Sequence, residues 1–276
     1  MTHGWSCRHC EFKAWANGEK RLERKAESHL FEHHKGRVRK ADFRLQWACP
    51  YCDASGTAHD KREIVGAFKR HLNEHVIEGI ETDARIVEEI DRNGNVLFDV
   101  PAESTAADNA RLHFISGSDL AIVVTKSPKE RLRLIHRRLS GWPERTIVVT
   151  TKRRPLDGTL DIDLADAPVE LVELDRRLGP SELGETVSRI IDAHYTPGTR
   201  VSVGLDVLYD IVSAFDLRTS YEFIDMLSSR LRDVGAVAHI YMKSRPELSS
   251  VLNVLEGRID LHIEADSQVF VSRPQD

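Results

Sequence analysis

Cysteine is scarce in this sequence and is confined to its first fifth. The chain has 276 residues and four cysteines, the last of which is Cys52. A secreted protein stabilised by disulfide bonds would not crowd every cysteine into one end, so we expect a protein of a reducing compartment. In such a compartment, paired cysteines bind a metal ion or carry out redox chemistry.

Long apolar segments are missing as well. No stretch reaches the roughly 18 consecutive apolar residues that a transmembrane helix needs. The N-terminal residues also lack the charged and apolar regions of a signal peptide. We therefore expect a cytoplasmic protein without a membrane partner.

Charge is divided unevenly along the chain. Residues 1–77 contain 15 Lys and Arg against 10 Asp and Glu, a net charge of +5. Residues 78–276 contain 24 against 34, a net charge of −10, and the two values sum to the −5 of the whole chain. A basic N-terminal part and an acidic remainder predict different partners for the two parts.

The basic part contains a tandem repeat with an offset of 42 residues. Each copy has a tryptophan, then a Cys-x(2)-Cys pair, and 18 residues later a His-x(3)-His pair. The eight predicted metal ligands are Cys7, Cys10, His29 and His33 in the first copy, and Cys49, Cys52, His71 and His75 in the second. A tight turn aims two such cysteines at one point, and histidines at i and i+4 share one face of a helix.

Four ligands of this type form a closed tetrahedral site, which suits a structural zinc ion in each copy. Asp60 and Glu63 begin the second helix with a capping box. Trp5 and Trp47 are expected to cover the metal sites as part of a small core, with stacking on a nucleic-acid base as the alternative. One alternative stays open: His34 could replace His33, although the register of the repeat favours His33.

Residues 5–76 resemble the two-Cys two-His zinc finger family. The resemblance implies DNA binding, but the gap between cysteine and histidine is 18 residues here, against about 12 in the family. The long linker after His34 also differs from the short linker of tandem DNA-reading fingers. Base reading at three base pairs per finger is therefore not expected to carry over.

Basic residues nevertheless cluster around the second copy and can neutralise phosphates. The candidate nucleic-acid contacts are Arg37, Arg39, Lys40, Arg44, Lys61, Arg62, Lys69 and Arg70. Two alternatives remain open. Interleaved acidic residues are also typical of an ordinary solvated surface, and paired fingers also serve to dock proteins.

The segment between the repeat and the rest of the chain predicts a hairpin and a joint. Asn93-Gly94 lies between two apolar stretches, which is a strong turn signal. Residues 101–110 are rich in Ala, Ser and Asp. We therefore expect a domain boundary near residues 100–112.

From residue 112 onward, short apolar strands alternate with capped helices. The predicted strands are 120–125, 145–150, 169–174, 200–205 and 236–242, followed by a hairpin of 259–264 and 268–272. Such alternation predicts a mostly parallel sheet covered by helices on both faces. His239 lies in the middle of a strand and is expected to be a hydrogen-bonded core histidine.

This part resembles the RecA/KaiC-like domain, especially the divergent archaeal proteins, over roughly residues 116–272. The segment from Arg200 to Asp206 looks like a Walker B strand that ends in its aspartate. The phosphate loop that the resemblance implies is missing, because Thr125 to Arg131 contains no glycine. Without glycine, the backbone N–H groups cannot surround a phosphate. We therefore predict no ATP hydrolysis, with Asp206 capping the helix that follows it.

The sequence thus predicts an α/β protein with two small zinc fingers and a RecA-like three-layer domain. The expected domains are 1–38 and 39–80 for the fingers, 81–111 for a hairpin and linker, and 112–276 for the body. The predicted function is that of a non-catalytic regulator or accessory protein that binds DNA through its fingers and protein through its body. The alternatives are a scaffold whose fingers dock a protein, and a nucleotide-sensing switch without hydrolysis.

Overall fold

The structure is a computed structural model, and it describes residues 2–34, 38–41, 43–157, 161–175, 177 and 179–272. The chain divides into two compact units. The first contains residues up to Arg85 and the segment that begins at Gln268, and the second extends from Ile86 to Ser267. Among the described residues, no helix combines the length and the apolar composition of a membrane span.

The first unit is built from two zinc-finger-like halves, each with a small antiparallel sheet and one helix. Its elements are β1 (His3–Ser6), β2 (Lys13–Ala16), α1 (Glu19–His33), β3 (Val38–Ala41), β4 (Arg44–Ala48), β5 (Ser55–Ala58), α2 (Lys61–Glu78) and β6 (Glu81–Thr82). β1 pairs with β2 and β6, and β4 pairs with β3 and β5. The two halves share one apolar core, in which Leu22 and Leu30 of α1 lie with Ile64 and Phe68 of α2.

The helix α2 begins where its sequence predicts. The carboxylate of Asp60 accepts hydrogen bonds from the backbone N–H groups of Arg62 and Glu63, at 2.7 and 3.1 Å. These bonds satisfy donors that have no partner in the first turn of a helix. Ile64, Phe68 and the later apolar residues of α2 are buried at helical spacing.

The second unit is an α/β domain with a parallel sheet. Its elements are β7 (Gly94–Asp99), α3 (Thr105–Ile115), β8 (Leu120–Val124), α4 (Pro128–Arg138), β9 (Arg145–Thr150), β10 (Val169–Glu173), α5 (Pro180–His194), β11 (Val201–Leu205), α6 (Leu208–Ala214), α7 (Leu217–Asp233), β12 (Val237–Tyr241), α8 (Ser249–Leu255) and β13 (Leu261–Asp266). Short 3-10 turns cover Ile86–Ile90, Pro246–Leu248 and Glu256–Arg258. The strand order is β10-β9-β8-β11-β12-β7-β13, and neighbouring strands are parallel.

Helices cover both faces of this sheet, as the sequence predicts. Ile122 and Val124 of β8 belong to a core shared with α5, α6, α7 and α8. The intervening residues Ala121 and Val123 pack with Ile115 of α3 and Leu132 of α4 on the opposite face. Alternation along one strand therefore fills two apolar layers, and the domain has three layers.

The hairpin and joint predicted for residues 81–111 are not formed. Gly94 begins β7, a buried strand that is parallel to β12 and β13, and α3 occupies most of the expected joint. The Asn93-Gly94 signal is local, whereas the partners of β7 lie more than 140 residues further along the chain. The body therefore begins at Ile86 and not near residue 112.

The end of the described chain belongs to the first unit. β14 (Val269–Ser272) pairs antiparallel with β2, with Phe270 opposite Trp15. Phe270 is fully buried by this pairing. The body is predicted to extend to residue 276, but this last strand completes the sheet of the first finger-like half.

Candidate metal centres

Four side chains of the first half converge beside the hairpin of β1 and β2. They are Cys7, Cys10, His29 and His34, and one ligand atom of each lies within 4.8 Å of the others. The Nε2 atom of His34 lies 3.4 Å from Cys7 Sγ and 3.7 Å from Cys10 Sγ. The Nε2 atom of His29 lies 3.3 Å from Cys10 Sγ.

The structure therefore brings His34, and not the predicted His33, to the first cluster. α1 ends at His33, and His34 has the non-helical dihedral angles φ −115° and ψ 18°. Because the chain leaves the helix at this residue, the imidazole of His34 reaches the two cysteines. His33 is exposed, so of the two alternatives in the sequence the less favoured one is formed.

The second cluster contains all four predicted ligands. They are Cys49, Cys52, His71 and His75. Cys49 Sγ lies 3.4 Å from His75 Nε2, Cys52 Sγ lies 3.2 Å from His71 Nε2, and the two Nε2 atoms are 3.2 Å apart. α2 continues past His75 to Glu78, so here the histidine pair keeps its helical i, i+4 spacing.

These distances fit a tetrahedral metal ion. Bonds of about 2.3 Å to sulfur and about 2.0 Å to nitrogen place neighbouring sulfur and nitrogen ligands roughly 3.5 Å apart. The Glu74 carboxylate lies 3.2 Å from Nδ1 of His71, a contact that orients a ligand histidine from outside the metal shell. Both clusters can thus hold a metal ion with four protein ligands.

Burial shifts the pKa of some of these ligands. Burial, with the neighbouring His34 and His33, lowers the pKa of His29 to about 4, which keeps its imidazole in the neutral form that binds metal. Burial also raises the pKa of the Cys10 and Cys49 thiols. A cation is therefore needed to stabilise the thiolates that complete each site.

Aromatic side chains enclose both clusters. Trp5 and Trp47 are buried, as expected from their place in the repeat, with ring centroids 6.1 Å from His29 and 5.1 Å from His71. Phe12 stacks on His29 at 3.8 Å. Sequence reasoning missed Phe12, whose only signal is its position two residues after Cys10.

Tyr51 links the two clusters. Its hydroxyl group lies 3.9 Å from Cys7 Sγ, and its backbone N–H donates to Cys49 Sγ at 3.3 Å. Burial, followed by the charge of Cys7, raises the pKa of Tyr51 well above its usual range, so the hydroxyl stays protonated and can donate to a thiolate. The two clusters therefore belong to one compact unit and are not two independent zinc fingers joined by a linker.

The described candidate nucleic-acid residues lie on β3 and β4 and on α2. Arg39, Lys40 and Arg44 are exposed on β3 and β4, whereas Lys61, Arg62 and Arg70 are exposed on α2. The ammonium group of Lys69 lies 4.3 Å from the ring centroid of Phe31 in α1, a cation–π contact inside the unit. Arg37 lies outside the described residues.

In the second unit, Asp206 follows β11 and is buried. Its carboxylate accepts hydrogen bonds from Arg111 (3.0 and 2.5 Å), from Arg131 Nε (2.7 Å) and from the hydroxyl of Thr125 (2.8 Å). Burial opposes its ionisation, but the two guanidinium groups hold the pKa of Asp206 below its usual range. The predicted capping role is wrong, because the helix that follows has Val207 at its N-cap and no side-chain capping bond.

Arg111 and Arg131 also donate hydrogen bonds to other acceptors around Asp206. Both donate to Asp108 and to the backbone carbonyl of Ala102. The carboxylate of Asp206 therefore has a full set of protein donors and positive charges around it. A bare cation would have to displace a guanidinium group to reach it, at the cost of leaving that group buried and unpaired.

Beside this network lies a pocket of about 280 Å³ at the C-terminal ends of β8 and β9. Its walls are mostly apolar, with residues such as Val124, Leu183 and Ile211. The polar side chains at its edge include Lys126 and Asp210, which form an ion pair at 2.6 Å. Asp206 and Asp210 thus have separate cationic partners and do not form a joint cation site.

His239 is the core histidine that the sequence predicts. Its Nε2 lies 3.0 Å from Ser202 Oγ, and its Nδ1 lies 2.7 Å from the hydroxyl of Tyr241. Burial, with the charge of Arg111, lowers the pKa of His239 to about 3. The ring is therefore neutral and structural.

Comparison with curated proteins found no match. Among solved structures, the chain is similar to a protein from a structural study in Pyrococcus horikoshii OT3, at 14% identity and a TM-score of 0.44. That similarity covers 64% of this chain and 84% of the other, and it carries no functional argument.

The second unit has a family match. Residues 93–265, well over half of the chain, match the Family of unknown function (DUF7504). The matched range begins just before β7 and ends in β13, so it coincides with the parallel sheet and its helices. The chain therefore belongs to the DUF7504 family.

Proposed function

We propose that this chain is a non-catalytic, nucleic-acid-associated protein whose N-terminal unit is held together by two structural zinc ions. The observation that carries the proposal is the pair of four-ligand Cys/His clusters in a unit that also exposes basic side chains on β3, β4 and α2. The role that follows from it is that of a regulator or accessory factor of DNA-associated machinery.

Zinc is the metal that the donor set favours. Two thiolates and two imidazoles in a tetrahedral arrangement suit Zn²⁺, which has no geometric preference of its own and no redox chemistry. Four protein ligands leave no open position for a substrate, so the ion would stabilise the fold and not catalyse a reaction. The binding free energy of such an ion is largely folding free energy.

Phosphate is the ligand that the basic surface favours. Arg39, Lys40 and Arg44 are exposed, and none of them forms an ion pair with another described residue. Unpaired cations can neutralise phosphates and release counterions, which gives affinity that falls steeply with salt. Lys61 and Arg62 at the start of α2 are also exposed and add to the positive charge of this unit.

The body is proposed to be a degenerate RecA-like domain that binds protein and does not hydrolyse ATP. Arg111 and Arg131 donate hydrogen bonds to the carboxylate of Asp206, so this carboxylate is not free to bind a metal ion. This arrangement supports the proposal, as does the lack of glycine between Thr125 and Arg131. Three partly exposed apolar side chains, Tyr209, Phe215 and Leu217, favour a protein contact of the body.

The proposal is tested by binding of the full, zinc-loaded chain to labelled random-sequence DNA over a series of salt concentrations. We expect an affinity whose logarithm falls linearly with the logarithm of the salt concentration, and a smaller slope when Arg39 and Lys40 are both changed to glutamate. Absence of binding at low salt, with both ions present, would overturn the nucleic-acid proposal and favour the protein-docking scaffold.

The nucleotide-sensing alternative has a separate test. A chain that binds nucleotide in its folded state gains stability as ligand is added. We expect the melting temperature of the full chain to stay constant when Mg-ATP is added. A rise that depends on the Mg-ATP concentration would favour the switch.

A further inference from the structure

The three strands β3, β4 and β5 form a sheet with two unlike faces. The register places Arg39 opposite Gln46, and Gln46 opposite Thr57, so these side chains share one face. The same face continues with Arg44 and Ser55, which alternate with inward residues along their strands. All five side chains are exposed.

The opposite face of β4 and β5 packs on the core. Trp47 and Ala58 are buried against α2, and the ring centroid of Trp47 lies 5.4 Å from that of Phe68. The inward face is thus fixed by packing around the second metal cluster. The outward face is left to solvent and carries two arginines, hydroxyl groups and an amide, with no acidic residue in any of the three strands.

Phe43 stands at the turn between β3 and β4, and it is 94% exposed. The next most exposed large apolar side chain among the described residues is Ile77, at 51%. A single exposed apolar residue is ordinary on a protein surface. The phenyl ring of Phe43, however, is almost fully exposed and lies next to Arg44 at the tip of a basic hairpin. An aromatic ring beside a basic residue is typical of a site where bases stack.

We infer that the outward face of β3, β4 and β5, with Phe43 at its tip, binds single-stranded nucleic acid. Phe43 stacks on a base, while Arg39 and Arg44 neutralise phosphates and Gln46 and Thr57 offer hydrogen bonds. This inference rests on the proposed function and assigns its ligand class and its surface. The zinc finger resemblance implies a nucleic-acid contact through the finger helices, whereas this inference places the contact on a sheet.

One observation favours this surface, and one physical argument favours this ligand. α1 and α2 pack against each other within the shared core, and Lys69 of α2 is engaged with Phe31 of α1, so part of each helix surface is already used. A phenyl ring at a hairpin tip can reach the flat face of a base only where that base is unstacked. In a single strand the bases are available, whereas a duplex must be opened at a cost of a few kcal/mol per step.

The test compares binding of the full, zinc-loaded chain to a labelled thymidine oligonucleotide of about 15 nucleotides and to a duplex of the same length. We expect tighter binding of the single strand. Phe43→Ala should weaken single-strand binding at least about fivefold with an unchanged salt slope, and Phe43→Trp should restore it. Arg39→Gln with Arg44→Gln should reduce the slope of log K against log salt by about 1.4.

Matched controls separate stacking from general surface effects. Ile77→Ala removes an exposed apolar side chain of the same unit, and Arg21→Gln removes an exposed charge from α1. Neither variant should change single-strand binding. The zinc content of each variant, measured in parallel, identifies any variant that fails to fold.

The outcomes distinguish this inference from the proposed function. Equal binding by Phe43→Ala and the unmodified chain, with a reduced slope for the double arginine variant, would overturn stacking and leave phosphate binding in place. Preference for the duplex would overturn the ligand class. Absence of binding to either DNA would overturn both the inference and the nucleic-acid function beneath it.

Discussion

The hydroxyl group of Tyr51 lies 3.9 Å from the Sγ atom of Cys7, so a residue of the second cysteine turn contacts a ligand of the first cluster. The backbone of the same residue donates to Cys49 Sγ. The two metal centres therefore share a residue of their outer shells, and the occupancy of one is expected to influence the other.

Tyr51→Phe removes this hydroxyl without changing the packing of the ring. We expect zinc at the first centre to be held more weakly by about 1 kcal/mol, or roughly fivefold, because a hydrogen bond to a thiolate is lost. Competition with a chromogenic chelator measures the change. Tyr209→Phe, which lies in the body, is the matched control and should bind zinc as the unmodified chain does.

The histidine pair at the end of α1 gives a second prediction. His34→Ala should reduce the zinc content from two ions per chain to one, because it removes a ligand, whereas His33→Ala should retain both. The two substituted histidines are neighbours in the chain. His33 is exposed and His34 is partly exposed, so the two variants are well matched. Equal zinc loss in both, or loss only in His33→Ala, would contradict the ligand assignment.

The buried network around Asp206 gives a third prediction. Asp206→Asn should lower the free energy of unfolding of the full chain by about 3–5 kcal/mol, because Arg111 and Arg131 lose their buried counter-charge. Urea titration measures the loss. The control is Glu222→Gln, which breaks an exposed pair with Arg218 and should cost less than about 1 kcal/mol. A similar loss in both variants would show that the network is not structural.

His239 predicts a dependence on pH. Its pKa of about 3 in the folded state lies below the usual value near 6.5, so the unfolded chain binds a proton that the folded chain does not. Stability should therefore fall as the pH is lowered from about 6.5, by up to about 1.4 kcal/mol per pH unit for this residue. Urea titrations at several pH values should show a shallower dependence for His239→Asn; an unchanged dependence would exclude His239 as its source.

Local signals in the sequence predict a large part of this structure. The repeat, with its cysteine pairs and helical histidines, gives seven of the eight clustered ligands. Asp60 marks the start of α2, and the apolar runs mark β8, β9 and β11 correctly. These features depend on neighbours within a few residues, which is why sequence patterns contain them.

Features that depend on distant pairing are missed. His34 replaces His33 because α1 ends at His33 and the chain leaves the helix at His34, and β7 becomes an inner strand because it pairs with β12 and β13. The sequence before Asp206 resembles a Walker B strand, yet Arg111 and Arg131, 95 and 75 residues away, occupy the carboxylate of Asp206. The tertiary partners in these cases outweigh the local pattern.

Native mass spectrometry of the full chain counts the zinc ions in the folded protein, on which the nucleic-acid proposal depends. We expect a folded species with two zinc ions, which both dissociate when the histidines are protonated by acid. A folded chain that carries no zinc, or a chain whose cysteines are joined as disulfides, would contradict this expectation.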